Sequence, residues 1–316
     1  MTKYLYNKKR KICVVTTTRA DYGQLKNLIL LIKKEKNILL QVVVSGTHLS
    51  KKHGYTIKEI YNDKIKINYK INLNLKDSTK EAISFYSALA LQKFTKCFKK
   101  LKPDIILVLG DRYEVFSATA SALFLGVPTA HLHGGEVTSG VIDESLRHAI
   151  TKMSNIHFAS SMKSKMRIIR MGEDKKKVFN VGALTVENIQ QISFLNKYEI
   201  EKKLNIKFEK NNFLVAIHPL SSVDETLKII KSALFVFKKL KHTLLIFSSP
   251  NSDAHSKVIE KAIMNFVKVN NNSEHCWKIP TDILSWQMAS MIGNITKQDI
   301  PILTKTHQSC IGRENM

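Results

Sequence analysis

Short runs of Val, Ile and Leu recur along the chain, each followed by a polar turn and then by an amphipathic stretch. KICVVTT predicts a buried strand and Tyr22–Lys36 an amphipathic helix. ILLQVVVSG predicts a second strand, DIILVLG (104–110) a third and VPTAHLHG (127–134) a fourth. Lys80–Lys102 has the apolar spacing of a long helix that Pro103 ends, and Glu114–Leu125 and Glu144–Ser154 predict further helices. Runs that stay apolar at successive positions are buried on both faces. Separated by helices, they imply βαβ units and a parallel sheet.

The alternation continues through IHFAS (156–160) and VFNVG (178–182), then pauses over a polar, Asn- and Lys-rich stretch at 183–211. It restarts with FLVAIHP (213–219), a helix over Asp224–Lys241, the strand TLLIFSSP and a helix over Asp253–Val269. After Trp277 the periodicity weakens, with one helix-like piece at Asp282–Met291. The pattern predicts an α/β fold of two Rossmann-like domains with parallel sheets. The first spans 1–182; the second, 183–316, is an incomplete nucleotide-binding domain.

The chain's 316 residues suit that division at about 100–200 residues per domain. Composition changes the picture in one respect. Fifty Lys and Arg against 26 Asp and Glu give a net charge of +24, and only seven of the fifty are Arg. A nucleic-acid binder concentrates its basic residues in a patch. Here the lysines are scattered in pairs such as Lys33-Lys34 and Lys238-Lys239, without interleaved aromatics. They imply a solvated surface and exclude a nucleic-acid partner. The four cysteines are far apart with no CxxC pair, which suits a reducing cytoplasm and excludes a disulfide scaffold. No stretch approaches the roughly 18 uninterrupted apolar residues of a membrane span, so no membrane association is expected.

In open parallel sheets ligands bind beyond the carboxyl ends of the strands, and the candidate chemistry lies there. Thr16–Gly23 follows the first strand, where Arg19 and a helix start could hold a phosphate, or Asp21 could simply cap the helix. Ser45-Gly46-Thr47-His48 follows the second strand. Gly110-Asp111-Arg112-Tyr113-Glu114 puts a carboxylate at a helix start, either as base or charge stabiliser or as an N-cap paired with Arg112.

The densest cluster is HLHGGE (131–136) with IDESLRH (142–148), holding three His, three acids, an Arg and two adjacent Gly. So many polar groups after a buried strand are costly unless they serve a site. Glu144 and His148, four apart, share a helix face, and Asp143 is placed as the N-cap. The H-x-H pair also permits a metal, which would need further ligands. His218 ends the first strand of the second series, and SSPNSDAHS (248–256) offers Ser249 and Asn251 near a helix start.

With these pieces together, the sequence resembles the UDP-N-acetylglucosamine 2-epimerase family, in its hydrolysing branch of sialic and legionaminic acid biosynthesis. The resemblance rests on TTTRADYG (16–23), SGTHLSKKHGYTIKEI (45–60), LGDRYEVFSA (109–118), HLHGGEVTSGVIDESLRHAITKMS (131–154), VFNVGAL (178–184), His218-Pro219 and PNSDAHS (250–256). It implies a glycosyltransferase-B-like fold with a nucleotide sugar between the halves, no cofactor and no metal, and a homo-oligomer, dimer or tetramer. It also implies elimination of the nucleoside diphosphate across C1–C2, then addition of water to release the free 2-epimer. On this match Asp111, Glu136, Asp143, Glu144 and His133 are the candidate catalytic residues. Arg19, His48, Arg147, His218, Ser249 and Asn251 are the candidate substrate contacts.

Three departures qualify the resemblance. Thr17 stands where many relatives carry Gly, and His133 where some place a catalytic Glu. The family's serine-rich GNSSSG loop has MIGN (291–294) followed by Ile295-Thr296-Lys297-Gln298 in its place, and Ile311-Gly312-Arg313 is a remnant of a later motif. These imply a chain cut short or frameshifted at its C-terminus. The alternatives are then an inactive nucleotide-sugar-binding remnant or a non-hydrolysing epimerase.

Overall fold

Successive side chains of a buried strand face opposite sides of the sheet, and β1 (Arg10–Thr16) shows what this requires of its sequence. Cys13 and Val15 enter one core while Val14 enters the other, all three essentially inaccessible. In the computed structural model, which describes residues 9–77, 79–138, 142–190, 195–217, 223–248, 256–269 and 276–279, this double burial recurs in neighbouring strands. Two compact units divide the chain, Met1–Gln190 and Gln191–Met316.

The first unit runs β1, α1 (Arg19–Lys34), β2 (Ile38–Val44), α2 (Ile57–Asn62), β3 (Tyr69–Lys70), α3 (Lys80–Leu101), β4 (Ile105–Leu109) and α4 (Tyr113–Phe124). It continues with β5 (Thr129–Leu132), α5 (Ile142–Met153), β6 (Ile156–Ala159), α6 (Met162–Arg170), β7 (Val178–Asn180) and α7 (Leu184–Gln190). Among the described residues its strands form a seven-stranded sheet in the order β3-β2-β1-β4-β5-β6-β7, with every pairing parallel.

Leu25, Ile29 and Ile32 of α1 and Ile57 and Ile60 of α2 cover one face. Phe94 and Phe98 of α3, Ala118 and Ala122 of α4 and Ile150 of α5 cover the other. The order reverses between β1 and β4, so their carboxyl ends open the crevice where doubly wound folds bind ligands. Pro103 acts as expected: α3 stops at Leu101, and Lys102 turns the chain in the left-handed conformation (φ 48°).

The second unit contains α8 (Lys197–Leu204), β8 (Asn211–Val215), α9 (Val223–Phe237), β9 (Thr243–Ser248), α10 (Ser256–Val269) and β10 (Cys276–Ile279). Its three described strands pair in parallel in the order β10-β9-β8. Ile200 of α8 packs against Leu244 and Ile246, while Ile230 of α9 and Ile259 and Ile263 of α10 pack against Leu245 and Phe247.

Among the described residues, the polar stretch 183–211 carries two helices. α7 belongs to the first unit, where Asn188 donates to the carbonyls of Gly23 and Gln24 at 2.9 and 3.0 Å. α2, β3 and α6 are additions to the expected pattern, as is β10, which pairs with β9 where the periodicity weakens. The helix expected at Asp282–Met291 and the motif remnants at 291–294 and 311–313 lie outside the described residues.

Candidate active site

The turn after β1 is built around one carboxylate. Thr18 is the N-cap of α1: its hydroxyl accepts the Asp21 N–H at 3.2 Å, and Asp21 reaches back to the Thr18 N–H at 3.1 Å. This corrects the placement of Asp21 itself as the cap. The Asp21 carboxylate also accepts the Thr17 N–H and hydroxyl, both at 2.8 Å, and the Thr16 hydroxyl at 2.5 Å. Burial pushes its pKa up, but bonding and charge from His48, with the bonds from Thr16 and Thr17, outweigh that and hold it below the ordinary value. Arg19, the first residue of α1, is partly exposed beside this turn.

His48 is fully buried, with Nε2 3.0 Å from the Thr16 hydroxyl oxygen and Nδ1 2.8 Å from that of Thr56. The Thr16 proton goes to Asp21, so Nε2 is the donor to Thr16. Both ring nitrogens are engaged within the fold. His48, a candidate substrate contact, thus links the β1 turn to Thr56.

At the end of β4, Asp111 finds its partner on α5. It takes a hydrogen bond and an ion pair from Arg147 Nη2 on α5. The other guanidinium nitrogen, Nη1, donates to the Thr138 hydroxyl at 3.0 Å, and the Thr138 N–H donates to Glu144 at 3.1 Å. Glu144 lies 3.9 Å from His148 Nε2, one helical turn on, as its spacing implies. Burial, with Arg147 and Arg167 nearby and Glu144 opposing, holds His148 below the usual histidine range. Asp143 is not the N-cap: α5 begins at Ile142, and Asp143 sits partly buried inside the first turn. Arg112 instead donates to Glu114 at 3.2 Å, and Glu114 is completely buried at the start of α4.

The two histidines after β5 do not converge on a shared ligand. His131 is inaccessible, its Nε2 donating to the Gly110 carbonyl at 2.8 Å and its Nδ1 lying 3.2 Å from the Thr151 hydroxyl. A carbonyl can only accept, so the proton is on Nε2. Burial is the main cause that pushes the ring down to about 3, leaving it neutral. His133 takes the left-handed conformation (φ 61°), uncommon for a side chain of its size. Its Nε2 accepts the Leu184 N–H at 3.4 Å, and its Nδ1 faces Glu136 Oε1 at 3.8 Å. Burial lowers its pKa; Glu136 opposes this, while Arg147 adds to it and Asp111 opposes it, so the Glu136 and Asp111 groups share one electrostatic neighbourhood.

Asp111, Arg147, Glu144, Glu136 and His133 thus sit beyond the carboxyl ends of β4 and β5. Arg19 and His48 stand beyond β1 and β2. His218, Ser249 and Asn251 lie outside the described residues. Sequence reasoning missed Ser160, at the end of β6, whose hydroxyl donates to Glu136. Its position as the last residue of a predicted strand was the available signal. It also missed Glu114 as a buried acid.

Residues 31–276 match the UDP-N-acetylglucosamine 2-epimerase family, and the chain belongs to it. A GDP/UDP-N,N'-diacetylbacillosamine 2-epimerase (hydrolyzing) of Campylobacter jejuni is 40% identical, over 84% of this chain and 69% of its own. A UDP-N,N'-diacetylbacillosamine 2-epimerase (hydrolyzing) of Legionella pneumophila is 33% identical, over 82% and 68%. The chain thus spans about two thirds of the length of these curated relatives. Among solved structures, the UDP-GlcNAc 2-epimerase of Neisseria meningitidis bound to UDP-GlcNAc superposes with a TM-score of 0.70 at 18% identity, covering 88% of this chain and 74% of that one. That likeness shows the fold, an α/β chain of the glycosyltransferase-B-like type. No described helix is long and apolar enough to cross a membrane.

Proposed function

We propose that this chain carries the acid/base half of a hydrolysing nucleotide-sugar 2-epimerase. Its substrate would be UDP-N-acetylglucosamine or a UDP- or GDP-linked diacetamido sugar, in the cytoplasmic synthesis of a nonulosonic acid of sialic or legionaminic type. The observation that carries this reading is the gathering of Asp111, Glu136 and Glu144 with Arg147 at the carboxyl edge of one parallel sheet. Hydrolysing activity in relatives of 33–40% identity supports it.

The chemistry needs a base for the weakly acidic C2 proton. The electron pair left at C2 forms the C1–C2 double bond and expels the nucleoside diphosphate from C1. Water then adds its oxygen at C1, and a proton arrives at C2 on the opposite face, giving the free 2-epimer. In this reading Glu136 and Asp111 carry the proton transfers, with Asp143 and Glu144 as the further candidate carboxylates. The Arg147 guanidinium orients Asp111 through their ion pair. Arg19, at the N-terminus of α1, adds positive charge for the departing diphosphate. His133 supplies a neutral ring beside Glu136, and His218, Ser249 and Asn251 complete the nucleotide contacts. The active form is a homo-oligomer.

The test is incubation of purified protein with UDP-N-acetylglucosamine and, separately, UDP- and GDP-diacetamido sugars, with nucleoside diphosphate and free sugar assayed together. Equal release of diphosphate and free 2-epimer is expected from one of them. Epimerised sugar still joined to nucleotide, or diphosphate with unepimerised sugar, contradicts the reading.

A further inference from the structure

The segment that carries Glu136 is held from one side by α6 and the residue pair before it. Gly135 lies in the left-handed region (φ 73°), and a Cβ there would meet the Ser164 carbonyl oxygen at 2.5 Å and Ile168 Cγ1 at 2.7 Å. The loop is therefore pressed onto α6 with no space between. Arg167 of α6 donates to the Gly135 carbonyl. Ser160 donates its hydroxyl to Glu136 Oε1, the same oxygen that faces His133 Nδ1. Leu184 N–H donates to His133 Nε2, so in the neutral ring the proton is on Nδ1, directed at that oxygen.

Oε1 thus takes the Ser160 bond with the His133 ring 3.8 Å away on another side, and Oε2 takes no hydrogen bond from the described residues. The side chain remains 18% exposed. A carboxylate with one oxygen tied down and the other presented cannot rotate without losing the Ser160 bond, which fixes the direction in which it accepts or gives a proton.

We propose that Ser160 is a positioning residue for the Glu136 carboxylate, with Arg167 holding the loop beneath it. The inference rests on the hydrolysing 2-epimerase reading of the site. Ser160 touches no reacting atom in this scheme; it acts through Glu136.

The experiment uses the full chain and the substrate the wild type turns over, with kcat and KM for S160A, S160C, S160T and E136Q and for S160A in the E136Q background. S160A and the near-isosteric S160C are expected to lower kcat about 10- to 100-fold with KM changed less than about threefold, and S160T to recover most of it. In the E136Q background S160A is expected to cost no more than about twofold, because the carboxylate it orients is gone. S160C keeps the test open if S160A does not fold. Unchanged kcat in both S160A and S160C overturns the proposal, as does an equal loss in the E136Q background. A wild type that releases no nucleoside diphosphate overturns the epimerase reading and this inference together, whereas an active wild type with an indifferent Ser160 overturns this inference alone.

Discussion

Arg147 on α5 and Asp111 beyond β4 form an ion pair across the carboxyl edge of the sheet, joining residues 36 apart in the chain. The arginine side chain is 7% exposed and the aspartate 20%. The same guanidinium holds Thr138, and through that residue's N–H it is connected to Glu144. One cation therefore sets the positions of two candidate acid/base carboxylates. A lysine offers a point charge in place of the planar fork and cannot serve Asp111 and Thr138 together. Arg147→Lys is expected to lower kcat at least about tenfold, and Arg147→Ala about 100-fold. Removing the guanidinium also leaves Asp111 uncompensated, costing about 2 kcal/mol, below the value for a fully buried pair because Asp111 is partly solvated. Denaturant unfolding with steady-state kinetics checks both, and an Arg147→Lys enzyme with wild-type kcat contradicts the assignment.

Gly46 follows β2 in the left-handed region (φ 58°), packed against the β1 turn. A Cβ there would lie 2.6 Å from the Thr17 carbonyl oxygen and 2.8 Å from Glu114 Oε1. Neither neighbour is a flexible tip in open space: one is backbone, and the other belongs to a fully buried side chain. Gly46→Ala adds backbone strain to this clash and is expected to destabilise the protein by about 3 kcal/mol. The midpoint of urea unfolding measures it, and a loss below about 1 kcal/mol would show that the β1–β2 turns can part.

Asp21 accepts from three consecutive residues, Thr16, Thr17 and Thr18. An amide can accept with only one of its two ends, so Asp21→Asn sets an NH₂ group against donors inside a buried turn. The expected cost is about 2 kcal/mol, from bonds lost without solvent to replace them. Thermal unfolding at neutral pH checks it. Asp21→Asn with an unchanged midpoint would mean that the turn is held by the Thr18 cap alone.

These three sites mark how far the sequence carried. Buried strands such as KICVVTT and IILVL declare themselves because a parallel sheet covered on both faces needs apolar residues at consecutive positions. The ligand-binding edge followed from reading the strands as parallel, and the HGGE and DESLRH cluster from its density, whereas the switch point needed the strand order of the fold. Pairings were less legible. Arg112 and Glu114 are two apart, as are Asp111 and Tyr113, and sequence neighbours suggested Asp111 with Arg112; the turn into α4 instead sends Asp111 towards α5, 36 residues on. His48 was legible as a candidate contact because it follows a strand. Its burial depends on Thr16 and Thr56, which no local pattern links to it. Ser160 was hidden for the same reason: its partner lies 24 residues earlier.

His131 gives the fold a pH dependence whose sign follows from its burial. In the unfolded chain the ring titrates near the ordinary value of about 6.5, whereas burial in the folded protein pushes it down to about 3. Above pH 6.5 the ring is neutral in both states and contributes nothing to the slope. Between the two values the unfolded chain takes up a proton that the folded chain refuses, so stability falls as pH drops, by about 1.4 kcal/mol per unit. His133, His148 and His157 are shifted in the same direction and add to the slope. His131→Asn keeps an N–H for the Gly110 carbonyl and has no titrating ring. Its unfolding free energy, measured between pH 5 and 6.5, is expected to depend on pH by one proton fewer than the wild type's. Parallel slopes for the two proteins would show that folding does not depress the His131 pKa.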